Sequence, residues 1–214
     1  MIDILLATAN PKKFLELRAL LRVPGVRLRS LRDVPAMPPI RERGRTFRAN
    51  ATLKATTVAR ATGGLAMADD SGLEVDALGG APGVRSARFA GRHGHDAANN
   101  AKLLRLLAGV PSRRRRARFR CVLVLAGPKQ VMAVTEGAIS GRIATAPRGR
   151  RGFGYDPIFL VPGLGKTTAQ LAPALKNRIS HRARAARRMQ RVLAGIVRRY
   201  RSDSSSRSIF IGTS

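Results

Sequence analysis

The chain has 214 residues, with 41 Lys and Arg against 12 Asp and Glu, a formal net charge of +29 at pH 7. That length builds one full core or two small lobes sharing a cleft, and no apolar run approaches the roughly 20 residues that a membrane span requires. The charge draws polyanions such as nucleic acids, free nucleotides and acidic lipids, and a single cysteine, Cys121, excludes an internal disulfide.

The opening MIDILLATANPKK has an Asp within its apolar run and no basic region before it. It does not fit a signal peptide, so the expected location is cytoplasmic. Residues 2–8 (IDILLAT) read as a buried strand ending in a Thr-Ala-Asn-Pro turn. Residues 12–23 place Phe14, Leu17, Leu20 and Leu21 on one helical stripe. VRLRSL (26–31) alternates as a short strand, and VPAMPPI (34–40) is a proline-rich link. Residues 46–62 read as a helix ended by Gly63-Gly64. LAMADDSG (65–72) is a strand running into a turn at Ser71-Gly72. Residues 95–110 form a helix with Asp96 as its cap and Gly109 as its stop.

ARFRCVLVLA (117–126) is the central-strand candidate, and residues 130–144 add one or two strands. A loop then leads to a short strand at PIFLV. The last helix begins near Ser180, with Ala185, Met189, Val192, Leu193, Ile196 and Val197 on its core face. Strands and helices alternate, which predicts an α/β or mixed α+β protein with a long central sheet. Residues 1–201 make one domain and 202–214 a polar, frayed tail.

The chemistry concentrates in residues 69–76, where Asp69, Asp70, Glu74 and Asp76 cluster in an acid-poor chain. Carboxylates at the end of a buried strand sit at the rim of a sheet, where α/β proteins bind ligands. Neighbours in an extended segment face opposite sides, so only one of Asp69 and Asp70 needs to face a given cleft. Mg²⁺ is held by one or two carboxylates plus phosphate oxygens, and a carboxylate also orients or deprotonates an attacking water. The alternative for DDSG alone is an ordinary polar turn.

ADDSGLEVDALGGAPGVRSARFAG resembles the signature of the inosine triphosphate pyrophosphatase family, the noncanonical purine NTP pyrophosphatases (Ham1/RdgB-like). LLATANPKKFLEL, TFRANATLKA, RARFRCVLVLA, EGAISGRI, GFGYDPIF and KNRISHRARA resemble the remaining blocks in order, covering about residues 1–195. The resemblance implies an elongated mixed sheet flanked by helices, with two lobes around a deep nucleotide cleft, usually as a homodimer. It implies hydrolysis of ITP, dITP and XTP between the α and β phosphates.

Under that resemblance Asp70 is the proton acceptor and, with Asp69, the Mg²⁺ ligand. Thr8, Asn10, Lys13 and Lys54 grip the triphosphate, and Ser71 contacts substrate. Phe153 stacks on the purine, worth roughly 1–3 kcal/mol, and Asp156 with the backbone of Gly154 and Tyr155 holds the base edge. Lys176, His181 and Arg182 complete the pocket, Arg182 pairing with a 6-oxo group that adenine lacks.

The chain departs from the pattern at one metal position. The family's Glu before the Asn of TFEENA is Ala49 here, preceded by Arg48, which implies weaker Mg²⁺ affinity and lower activity. Arg113 to Arg116, with Arg148, Arg150 and Arg151, surround the expected cleft with positive charge. The competing reading is a catalytically weakened relative whose basic surface binds nucleic acid without sequence preference. A Maf-like pyrophosphatase fits the blocks less well.

Overall fold

The computed structural model describes residues 1–208 other than 36, 38, 39 and 93, with side chains described through residue 202. Part of the proline-rich link and the tail beyond 208 therefore lie outside the described residues. Six strands make one sheet: β1 (Ile2–Leu6), β2 (Val26–Ser30), β3 (Leu65–Val75), β4 (Arg116–Ala126), β5 (Val131–Ile143) and β6 (Phe159–Leu160), in the order β2-β1-β3-β4-β5-β6. β1 pairs in parallel with both β2 and β3, and the rest of the sheet is antiparallel. This is the mixed sheet expected from the sequence. The parallel pairs require crossovers, which α1 (Pro11–Leu20) and α2 (Phe47–Thr62) supply. The remaining helices are α3 (Asp96–Leu106), α4 (Pro173–Ile179) and α5 (His181–Ser208).

Burial follows from alternation along the long strands. Met67, Cys121, Leu123 and Leu125 face α1 and α5, meeting Leu17, Leu21, Ala185, Met189 and Leu193. Ala66, Ala68, Val122 and Val124 face the other side, against Ala51, Ala55 and Val58 of α2. Farther along the same strands a third cluster joins Leu73, Val75, Phe119 and Ile139 to Leu103 of α3 and to Tyr155, Ile158 and Phe159. Asp69 to Gly72 fall where the first two clusters end and the third begins.

Local expectations are corrected at Ser71-Gly72 and at the two ends of α3. Ser71-Gly72 is no turn: the β3–β4 register runs unbroken from Ala66↔Ala126 to Val75↔Ala117. Gly72 serves close packing instead, since a Cβ there would sit 2.7 Å from the Gly83 carbonyl and 2.8 Å from the Phe47 ring. The cap of α3 is His95, whose Nδ1 accepts from the Ala98 N–H at 3.2 Å; Asp96 is the first helical residue, and the helix ends at Leu106, short of Gly109. Residues 131–143 form one strand. The C-terminal helical region is two helices broken at Ser180, where the backbone turns extended and Oγ accepts from the Ala183 N–H at 3.1 Å. The core face expected for the last helix is borne out, and that helix runs on through Ser208.

α5 lies directly on β5 at Gly137, where an added Cβ would sit 2.5 Å from the Ala185 nitrogen and closer still to the His181 carbonyl. Backbone on both sides leaves nothing flexible to yield. Gly137→Ala is therefore expected to lower stability by about 2 kcal/mol or more, read as a lower urea midpoint at unchanged m-value.

Candidate active site

β1 stops two residues short of the carboxylates. Its ladder with β3 closes at Leu6↔Met67, so from Asp69 onward β3 is paired with β4 alone until the bridge between Glu74 and Pro82. Side chains from both faces of β3 can be reached around that open edge. α1, starting just after β1, approaches one face; α2 approaches the other.

Asp69 points to the α1 and α5 side, 1% exposed. Its Oδ2 meets Lys13 Nζ at 3.0 Å and accepts from Ser71 Oγ at 3.1 Å, with Arg182 Nε at 3.8 Å. Burial alone would raise this carboxyl. Lys13, Lys54 and Arg182 outweigh it and hold the group well below the usual carboxylate range. Oδ1 of Asp69 is buried without a hydrogen-bond partner.

Asp70 points to the α2 side. Its Oδ2 accepts from Asn50 Nδ2 at 3.0 Å, its Oδ1 accepts the Ser71 N–H at 3.0 Å, and Lys54 Nζ lies 3.9 Å away. Burial is the dominant influence and Glu42 adds to it; Lys54, Lys13 and the Asn50 bond oppose. The net result pushes Asp70 up to about 6. Two adjacent carboxylates are thus driven apart, one firmly ionised and one able to take a proton near neutrality, a separation that marks acid–base sites.

The phosphate block is assembled around the start of α1. Asn10 caps this helix, accepting from the Lys12 and Lys13 N–H groups at 2.9 and 3.2 Å, and Thr8 Oγ1 accepts from the Asn10 N–H at 3.2 Å. Lys54 is four residues after Asn50, on the same face of α2. It bonds Glu42 Oε1 at 2.7 Å, and the nearby carboxylates raise its pKa despite its burial.

The base block is internally bonded. Phe153 is half-buried, with the Arg182 guanidinium 4.9 Å and the Lys176 ammonium 5.4 Å from its ring centre. Asp156 accepts from the Phe153 N–H at 2.9 Å, from Thr168 Oγ1 at 2.9 Å and from Lys176. Gly154 donates its N–H to Asp96 Oδ2 at 2.7 Å, and its carbonyl accepts from Asn100 at 3.0 Å. Tyr155 is buried, its hydroxyl donating to the Ser86 carbonyl at 2.9 Å. His181 is buried and stacked on Phe119 at 4.8 Å; burial first, then Arg182 and Lys176, push its pKa well down and leave it neutral. Arg182 donates to Glu16 Oε2 at 2.8 Å and Ser71 Oγ at 3.0 Å.

Lys13, Asp69, Ser71, Arg182 and Phe153 therefore form one contact chain, and Asp70 with Lys54 forms a second across the strand. Asp156 and Lys176 join the first through Phe153. Arg113, Arg114 and Arg116 sit elsewhere, lining a cavity of about 790 Å³ with Arg142 and Asp76, six or more residues along β4 from the partner of Asp70. Arg115 is core, bonded to the Leu107, Val110 and Ala144 carbonyls.

Sequence reasoning missed Glu42, Asn50, Glu16, Asp96 and Asn100. The i, i+4 spacing of Asn50 and Lys54 was a usable signal. Glu42, alone among Arg41, Arg43 and Arg45, carried none.

Two lysines, a carboxylate near neutrality and an aromatic ring around one strand edge suit a phosphorylated aromatic ligand. The chain belongs to the Ham1 family, whose profile matches residues 4–192. It is 54% identical over 185 residues to a dITP/XTP pyrophosphatase of Geobacillus kaustophilus, covering 86% of this chain and 91% of that protein. Identity to the dITP/XTP pyrophosphatase of Desulforamulus reducens is 50% over 192 residues, covering 90% and 96%. A solved Ham1 protein from Coxiella burnetii superposes with a TM-score of 0.84 at 41% identity, covering 91% and 100%.

The buried charge on Asp70 has a stability consequence. Its folded pKa near 6 exceeds the ordinary 3.8, so ionised Asp70 destabilises the fold above pH 6, and the cost disappears as pH falls toward 4. The full difference corresponds to at most about 3 kcal/mol. Asp70→Asn, measured in EDTA, is expected to raise the urea midpoint at pH 8, with the gain shrinking below pH 6.

Proposed function

We propose that the chain hydrolyses noncanonical purine nucleoside triphosphates, dITP and XTP first, to the monophosphate and pyrophosphate. The observation that carries this reading is Asp70: a buried carboxylate with a pKa near 6, bonded by Asn50 and facing Lys54 at the open edge of β3.

Lys13 and Lys54 enter from opposite faces and bind the phosphate oxygens as point charges. Asp70 orients an attacking water and accepts its proton, a role worth roughly 10²- to 10⁴-fold in rate. Asn50 fixes the Asp70 carboxylate by a single directed bond. Phe153 offers its ring face to the base, held against Arg182. Nucleotide pyrophosphatases of this kind are generally dependent on a divalent metal. The acidic oxygens of Asp70, in a pocket otherwise rich in cations, suit a hard ion such as Mg²⁺. Bound there, the ion would neutralise charge developing on the phosphates. Asp69 contributes to charge balance from the other face, its Oδ2 engaged by Lys13 and Ser71.

A homodimer in the cytoplasm belongs to the same proposal; no helix among the described residues is long and apolar enough to cross a membrane. The Asp70, Lys54 and Lys13 constellation favours the hydrolase over the cationic nucleic-acid binder.

Pyrophosphate release from dITP, XTP, dATP and dGTP tests the proposal. Turnover of dITP and XTP is expected to exceed that of dATP by about 10²-fold or more, and Asp70→Asn to lower kcat by about 10³-fold. Equal rates on all four, or full activity in the Asn variant, would refute it.

A further inference from the structure

The face of the sheet that carries Asp70 continues along β3, β4 and β5 as a ladder of charges. Arg118 bonds Glu74, and Arg120 reaches Glu74 at 3.4 Å and Glu136 at 3.0 Å. The next rung breaks this balance. Arg116 lies directly opposite Arg142, one residue past Val75↔Ala117, where the β3–β4 pairing ends. Like charges facing each other across an antiparallel pair repel. Among the described residues neither guanidinium has an ion-pair or hydrogen-bond partner.

Arg113 and Arg114 join that rung around the cavity of about 790 Å³, with Asp76 the one carboxylate of its lining. The loop that presents them is locked by Arg115. Its buried guanidinium donates to the Leu107, Val110 and Ala144 carbonyls at 2.8, 2.9 and 3.2 Å, so its charge is met by carbonyls rather than by an acid. The Ile143 N–H in turn donates to the Arg115 carbonyl at 2.9 Å. A fixed backbone thus holds four guanidiniums around one hollow, against a single acid. The rest of the lining, Ala77, Gly109, Val110 and Pro111, has no aromatic ring on which a base could stack. Arg116 is six residues along β4 from Val122, the partner of Asp70. At about 3.4 Å per residue, that sets the cavity about 20 Å from Asp70.

We propose that this cavity binds a short inorganic oligophosphate, pyrophosphate or tripolyphosphate, clamped between Arg116 and Arg142 with Arg113 and Arg114 completing its shell. Guanidinium forks match phosphate oxygens two at a time. Adjacent phosphates carry enough charge to relieve the Arg116–Arg142 repulsion and to engage all four groups. The hollow is within the size range of small-ligand sites, and a lining without aromatic rings favours phosphate without a base. The site does not depend on the phosphohydrolase reading. Pyrophosphate is the product under that reading, so the test has to silence the active site.

Binding of tripolyphosphate and pyrophosphate is measured by calorimetry on the whole chain carrying Lys13→Met and Lys54→Met, in EDTA at about 0.15 M salt, which screens exposed charges. Saturable one-to-one binding of tripolyphosphate is expected. Arg116→Gln with Arg142→Gln is expected to weaken it at least tenfold. Arg198→Gln with Arg199→Gln, the same loss of charge at exposed positions of α5, is expected to change it less than twofold. The rise in urea midpoint that tripolyphosphate gives is expected to vanish in the cavity pair and persist in the α5 pair. Equal losses in the two pairs mean general charge attraction and overturn the site, as does binding that survives the cavity pair. An oligothymidylate that displaces tripolyphosphate at a lower concentration of phosphate groups also overturns it, in favour of nucleic acid. If the lysine variant does not fold, the same comparison in the parent reads as the loss of one of two tripolyphosphate sites. If the Gln pair on the strands does not fold, Arg113→Gln with Arg114→Gln on the loop takes its place.

Discussion

Everything at the site depends on burying two adjacent carboxylates in the middle of a strand. A charge taken from water costs several kcal/mol unless it is paired and hydrogen-bonded. β3 meets that constraint by alternation: Asp69 and Asp70 face opposite sides and are compensated by different helices. This requires the strand to stay extended through Ser71 and Gly72, because a turn there would turn both groups to one surface. It also requires β1 to end early, because a longer β1 would close the edge around which Lys13 reaches. The long β3–β4–β5 ladder gives the rigidity, and the short β1 gives the access.

The same alternation explains the difference between the two acids. Asp69 has a lysine in contact, a serine hydroxyl and a guanidinium close by. Asp70 has the Asn50 amide, the Ser71 N–H and a more distant lysine, and that lysine is shared with Glu42. Burial is comparable, so the partners decide the order. The base role proposed for Asp70 needs a pKa near the working pH, and its weaker compensation is consistent with that.

Much of this was legible in the sequence. Short apolar runs, period-two alternation and period-3.6 stripes located the strands of the sheet and the long helices, because those patterns are how apolar faces are buried. The motif blocks singled out Lys13, Lys54, Asp70 and Phe153, which the fold places in two contact chains on opposite faces of β3. The turn at Ser71-Gly72 was misread because Gly is ambiguous: it permits bends, but it also permits close approach, which is its role beside Gly83 and Phe47. Asp96 was read as a cap from its residue type, whereas a contact 58 residues away, the Gly154 N–H, uses its carboxylate. Glu42 was invisible for a related reason. Its partners come from α2 and β3, and no local pattern encodes a pairing set by loop docking.

The charge of the chain reads differently once the site is in view. Lys13, Lys54, Lys176 and Arg182 each carry an acidic partner in Asp69, Glu42, Asp156 and Glu16, and with Asp70 these are five of the chain's 12 acids. The site is thus nearly balanced inside a molecule of net charge +29. On the proposed function, its hold on a polyphosphate comes from exchange rather than from local excess charge, phosphate oxygens replacing carboxylates on lysines already positioned. Preorganised partners avoid the ordering cost that free lysine side chains carry. The surplus arginines act from the outside, raising the concentration of anions near the molecule and speeding encounter in a salt-sensitive way. The proposed base-reading role of Arg182 follows the same rule: its terminal nitrogens are held by Glu16 and Ser71, so pairing with a 6-oxo group there would mean trading one of these bonds.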